Sequence, residues 1–239
     1  MTEYREKGVG AVRPREASTL IIVRKTKDAP HILMGKRSAK HKFMPNKFVF
    51  PGGRLDLIDS RLKVPHDLPD PVMRRLRQDT RKDVSDAKLR GLALAAIRET
   101  YEETGLIIGH KAKAPPRTRH HGWRDYFASG ATPPLDKIDF IGRAITPTYR
   151  TRRYDTRFFM LHDDTIFTDP EDTQNASGEL LHLHWLTLQQ ARDLDIPAIT
   201  RQMLDIVEKR LRLSRPKQLQ APAPFVRFHH NKPHITLLD

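Results

Sequence analysis

The feature that most constrains this 239-residue chain is a short acidic helix that runs into a glycine. From Leu92 to Ile107 the sequence reads Leu-Ala-Leu-Ala-Ala-Ile-Arg-Glu-Thr-Tyr-Glu-Glu-Thr-Gly-Leu-Ile. Good helix formers lead up to Gly105, which stops the helix, and an apolar strand-like run follows. At 3.6 residues per turn, Glu99, Glu102 and Glu103 stand at i, i+3 and i+4, so their carboxylates share one face. Ala93, Leu94, Ile97 and Tyr101 fall on the opposite side and suit a core. Ala95 and Ala96 lie one turn before the glutamates, small enough to let another backbone come close to the carboxylates.

Three carboxylates packed this tightly repel one another, and near a core at least one is driven toward protonation. A hard cation with oxygen ligands relieves that repulsion, and Mg²⁺ or Mn²⁺ is the expected cofactor. A glutamate cluster on a helix is more often a solvated acidic face, so the context has to decide. Upstream comes Phe48-Val-Phe-Pro-Gly-Gly-Arg-Leu-Asp56-Leu-Ile-Asp59, a strand running into a double-glycine turn that lets backbone approach a ligand.

Taken together, the two stretches resemble the signature of the Nudix hydrolase family. That pattern is G, five residues, E, seven residues, then R-E-U-x-E-E-x-G-U, where U is a bulky apolar residue. Arg98, Glu99, Glu102, Glu103, Gly105 and Leu106 fall on its fixed positions, and Thr100 departs from the first U. Gly53 matches the leading glycine, and Asp59 stands where the family has glutamate. Residues 60–97 number 38 where the pattern has seven, an insertion of 31. A subgroup that includes a mammalian peroxisomal coenzyme A diphosphatase carries such an insertion. The flanks Lys36-Arg-Ser-Ala, Phe43 to Gly53 and Arg153 to Phe159 are similar to that subgroup, although Lys36-Arg-Ser-Ala is only the beginning of a full coenzyme A box.

The resemblance implies an α+β Nudix fold, a mixed β-sheet sandwiched between α-helices. It also implies metal ligation by Glu99, Glu102, Glu103 and the Gly52 carbonyl, with Glu102, Glu103 and Glu179 in catalysis. Arg98 leaves the helix about 100° away from Glu99, so it is expected to orient a carboxylate or brace the loop. Arg37 at a strand end, Arg54, and the alternating Arg153 and Arg157 are the expected substrate contacts, since guanidinium forks fit phosphate oxygens. Asp155 would orient one of the latter pair. Asp163 and Asp164 stand behind Glu179 as the alternative acid. His120, His121, His182 and His184 read as surface residues.

A net charge of +14 favours anionic partners without choosing among them. A nucleotide or coenzyme A substrate is preferred. The alternative is a catalytically inactive Nudix-like module that binds nucleotides or RNA. With no cysteine, disulfides, zinc thiolates and cysteine nucleophiles are excluded. No signal-like or membrane-spanning apolar run is seen, so a cytoplasmic protein is expected.

Along the chain, residues 1–16 read as a loose arm and 17–213 as the Nudix domain, with strands over 17–25, 31–37, 48–50, 106–108, 138–147 and within 149–161. A loop spans 40–47. Residues 60–90 are the insertion, irregular to Pro71 and then a short helix. It reads either as a lid or specificity element or as a surface excursion or oligomer contact. Short helices are expected near 123–128 and 186–193, with a longer one over 199–213. Residues 214–239 carry four prolines and read as an extended tail.

Overall fold

The computed structural model describes residues 4, 10, 12–39, 43–114, 116–172, 176–230 and 232–239. Most of the expected N-terminal arm and the first part of the 40–47 loop lie outside the described residues. Strand β1 (Arg15–Lys25) is the spine. Its run Leu20-Ile-Ile-Val is buried throughout because both faces of the sheet are covered. Leu20 and Ile22 point into one core, and Ile21 and Val23 into a second core on the other side.

Strand β1 pairs antiparallel with β2 (Pro30–Arg37), the expected hairpin, and with β4 (Gly52–Arg54). On its other edge it runs parallel to β8 (Tyr154–His162), which pairs antiparallel with β7 (Asp139–Ile145). Strands β3 (Phe48–Val49) and β9 (Leu180–Thr187) both pair with β2. The first core lies against the long helix α3 (Asp86–Thr104), with α2 (Asp70–Arg77) and α4 (His121–Ala128) beside it. The second is closed by α5 (Leu188–Asp193) and α6 (Ala198–Leu211). The result is the mixed sheet between helices that the sequence led us to expect.

Two expectations are corrected. Residues 106–108 form no strand and make only an isolated bridge from Ile108 to Ile166. The tail is not extended. It folds as α7 (Arg215–Gln220) and the hairpin β10 (Ala223–His229) with β11 (Lys232–Leu238), and β10 adds to the main sheet parallel to β7. Two of its prolines mislead because they occupy tolerated places. Pro216 is in the first turn of α7, where its missing N–H removes no helical bond. Pro233 sits on β11, the edge strand. Buried Arg75 of α2 locks this segment down, donating to the carbonyls of Leu219 (2.7 Å) and Ala221 (2.8 Å) and to Asp139 (2.9 Å). Arg210 meets the same Asp139 at 3.2 Å. The middle of the insertion is therefore tied to the C-terminal segment. Among the described residues no helix is long and apolar enough to cross a membrane.

Candidate active site

Helix α3 delivers the glutamates, and both of its ends are fixed locally. The Ser85 side chain accepts from the Lys88 N–H, and Gly105 turns left-handed (φ 77°) while its N–H returns to the Tyr101 carbonyl. Thr100, the departure from the apolar pattern, is fully buried and donates its hydroxyl to the Ala96 carbonyl at 2.7 Å. That bond is why a threonine is accommodated there.

Arg98 is the centre of the arrangement. Its side chain is 3% exposed. Nε and Nη2 fork onto Asp59 at 3.0 Å each, and Nη2 also donates to the Arg54 carbonyl at 3.0 Å. Nη1 donates to Glu99 at 3.0 Å and to Glu102 at 2.8 Å. The guanidinium thus does not stay clear of the acidic face; a long side chain bends back across it, and Glu102 is its i+4 neighbour. Asp59 belongs to helix α1 (Leu57–Arg61), where it accepts from the Asp56 N–H at 2.9 Å, and it also accepts from the Trp123 indole at 2.8 Å. It is therefore both a helix cap and the buried counter-ion of Arg98.

Glu103 turns instead to the double-glycine bend, accepting from the Gly52 N–H at 2.8 Å. The bend fits tightly. A methyl group at Gly52 would overlap the Ser18 carbonyl on β1, and one at Gly53 would overlap the Glu99 carboxylate. Burial pushes Glu99 up to about 7, against the pull of Arg98. It pushes Glu103 up to about 8, against the Gly52 N–H, with Glu99 and Glu179 adding to the rise. For Arg98, burial pulls downward, but Asp59, Glu99 and Glu102 outweigh it and hold the guanidinium charged. The cleft thus holds more buried carboxylate than Arg98 neutralises. An all-oxygen donor set of this kind fits a hard divalent ion.

The cleft encloses about 330 Å³ and is lined by Glu99, Tyr101, Glu102, Glu103, Glu179 and the N-terminal turn of α4. Glu179 arrives on a loop docked to the helix by the Ser177 N–H bond to the Glu102 carbonyl (2.9 Å). Asp163 and Asp164 are not among the lining residues. Arg37 ends β2 close enough to Glu103 to favour its anion. Arg54 ends β4 exposed beside the bend. The other two arginines do not wall this cleft. Arg153 braces backbone, donating to the carbonyls of Thr146 (2.9 Å) and Val12 (2.8 Å). Arg157 is buried against Asp155 at 3.0 Å, an aspartate that also takes both forks of Arg143. The alternation on β8 is real, but that face is covered by other parts of the chain.

Sequence reasoning missed the α4 contribution. His121, taken as a surface residue, lines the cleft with Gly122 and Asp125. A methyl group at Gly122 would overlap the Glu102 carboxylate. A glycine inside a helix, where alanine is more stable, was the signal that something approaches closely there.

No protein-family model matches the chain. Among curated proteins it is similar to "Putative nudix hydrolase 7" of Caenorhabditis elegans, 24% identical over 202 residues that span 75% of this chain and 53% of that protein. It is also similar to "Acyl-coenzyme A diphosphatase NUDT19" of Xenopus laevis, 31% identical over 94 residues, 32% of this chain and 25% of that protein. The chain thus spans about half the length of one relative and about a quarter of the other. Among solved structures, a NUDIX hydrolase from Alicyclobacillus acidocaldarius matches with a TM-score of 0.58 at 23% identity, covering 82% of this chain and 92% of that one. The chain has the Nudix fold.

Proposed function

We propose that the protein is a divalent-metal-dependent hydrolase that cuts the pyrophosphate bond of a nucleoside diphosphate linked to another moiety, with coenzyme A or an acyl-coenzyme A as the substrate. The observation that carries this reading is the convergence of Glu99, Glu102, Glu103 and Glu179 on one cleft against the Gly52–Gly53 bend. The choice of coenzyme A is supported by the insertion within the Nudix box and by the printed name of the frog relative.

Glu99, Glu102, Glu103 and the Gly52 carbonyl would hold Mg²⁺ or Mn²⁺, which neutralises diphosphate charge and activates water for in-line attack. Arg98, held by Asp59, sets the rotamers of Glu99 and Glu102. Glu103 or Glu179 accepts the proton from the attacking water. Arg37, which acts on Glu103 from the end of β2, and Arg54, beside the bend, are the proposed phosphate contacts.

The test is to incubate the protein with Mg²⁺ or Mn²⁺ and separately with coenzyme A, ADP-ribose, NADH and nucleoside triphosphates, identifying products by mass. Coenzyme A should yield a phosphopantetheine and an adenosine bisphosphate, and Glu102→Gln should lower that rate by about 10²-fold or more. Turnover that survives Glu102→Gln, or no turnover on any substrate, would overturn the proposal.

A further inference from the structure

Away from the acidic cleft, three side chains from three separate segments meet at one point. His66 lies in the irregular stretch of the insertion between α1 and α2. His110 is on β5 (His110–Lys111), the short strand that pairs with β6 (Ala131–Thr132). Asp136 lies in the single 3₁₀ turn Leu135–Lys137 that precedes β7. His110 Nε2 is 2.7 Å from Asp136 Oδ1, and His66 Nδ1 is 3.9 Å from the same oxygen. The two imidazoles sit edge to face with centroids 4.8 Å apart. Taking one ligand atom from each residue, all lie within 4.8 Å of one another.

We propose that His66, His110 and Asp136 bind a single borderline divalent transition-metal ion, Zn²⁺ being the type case, and that this ion clips the insertion to the body of the protein. Ligands about 2.0–2.1 Å from a tetrahedral ion stand roughly 3.3 Å from one another. The 2.7 Å pair has to open slightly and the 3.9 Å pair to close by a similar amount, which side-chain rotation supplies. Two imidazoles with a carboxylate suit zinc, cobalt or nickel far better than magnesium, whereas the glutamate cleft is all oxygen. Three protein ligands leave room for water as a fourth. The side chains are 40%, 29% and 36% exposed, so an ion can reach them from solvent. The competing partner is Lys137, whose ammonium is 3.5 Å from the other oxygen of Asp136 and leaves Oδ1 to the histidines.

None of the three residues lines the acidic cleft, so this inference stands or falls apart from the hydrolase reading. It does bear on the insertion. His66 follows Asp59 by seven residues, so a clip there shortens the free span between the anchored α1 and α2.

The test uses the full chain, stripped with chelator and titrated with Co²⁺ in excess Mg²⁺, which occupies the all-oxygen cleft. One equivalent of Co²⁺ should give the intense visible absorption of a four- or five-coordinate ion, and one equivalent of Zn²⁺ should displace it. His66→Ala and Asp136→Asn should each weaken that binding roughly tenfold or more, while melting like the parent without metal. Replacing both His182 and His184, an exposed stacked pair on β9, should leave it intact. A weak six-coordinate spectrum from the parent, or a strong one unchanged in His66→Ala, would overturn the site. Transfer of the loss to the His182/His184 variant would do the same.

Discussion

Asp59→Ala tests the arrangement without touching a residue that lines the cleft. Asp59 is fully buried and takes two guanidinium bonds from Arg98 and one from the Trp123 indole. Removing one partner of a buried pair leaves an uncompensated charge, a loss of about 3–5 kcal/mol. The orphaned indole adds to it, by about 1–3 kcal/mol for an unsatisfied buried donor. The remaining bonds of Arg98 to Glu99, Glu102 and the Arg54 carbonyl keep the total nearer the lower figure. For a chain of this size about 4 kcal/mol lowers Tm by roughly 10 °C. Arg98 is then free to shift, and Glu99 and Glu102 move with it, so metal affinity should fall as well. Asp59→Asn preserves shape and the acceptor for Trp123, and should cost less than half as much stability. Asp59→Glu puts the Nudix-signature residue in place on paper, yet it adds a methylene to a filled site and should destabilise by about 1–3 kcal/mol. The readouts are calorimetric melts with and without Mg²⁺, together with Mg²⁺ titration. An Asp59→Ala protein that melts within about 2 °C of the parent, with unchanged metal affinity, would refute the assignment of Asp59 as the counter-ion on which Arg98 depends.

Burial raises Glu99 from 4.5 to about 7 and Glu103 from 4.5 to about 8, so without metal the folded chain binds more protons than the unfolded one between those limits. The stability of metal-free protein should therefore fall as pH rises from about 4.5 to about 8 and level off above. Saturating Mg²⁺ should flatten that slope, and melts over this range check both statements. Gly53→Ala should push the Glu99 carboxylate off its seat and reduce turnover by about 10²-fold, as a displacement of about 1 Å can do; steady-state kinetics beside a circular-dichroism melt would separate this from unfolding. Truncation after Leu213 should abolish cooperative melting, since Phe225, Val226 and Leu238 are buried side chains worth roughly 1.5–3 kcal/mol each, and Arg75 would lose two carbonyl partners at once.

What could be read from the sequence was what local chemistry encodes. The glutamate face, the glycine stop after Thr104 and the β1–β2 hairpin depend on spacing within one or two turns of chain, and they stand where the spacing puts them. What could not be read depends on distant partners. Asp59 could be read only as the residue standing where the Nudix signature has glutamate, because its indole partner is 64 residues away. Arg153 and Arg157 alternated as a pocket wall would, but alternation specifies only that a face is shared, and Thr146, Val12 and Asp155 had already claimed both groups. The tail failed for a related reason. Prolines were counted as breakers, while the covered edge of β7 and the buried Arg75–Asp139–Arg210 cluster, which make those residues fold, lie elsewhere in the chain. The same limit bears on the insertion. As a stretch of sequence it is a surface excursion between two halves of a motif. In three dimensions Asp59 anchors its start to Arg98, and Arg75 anchors its middle to the C-terminal segment. A change in the C-terminal hairpin therefore has a connected path, through α2 and α3, to the carboxylates that line the cleft.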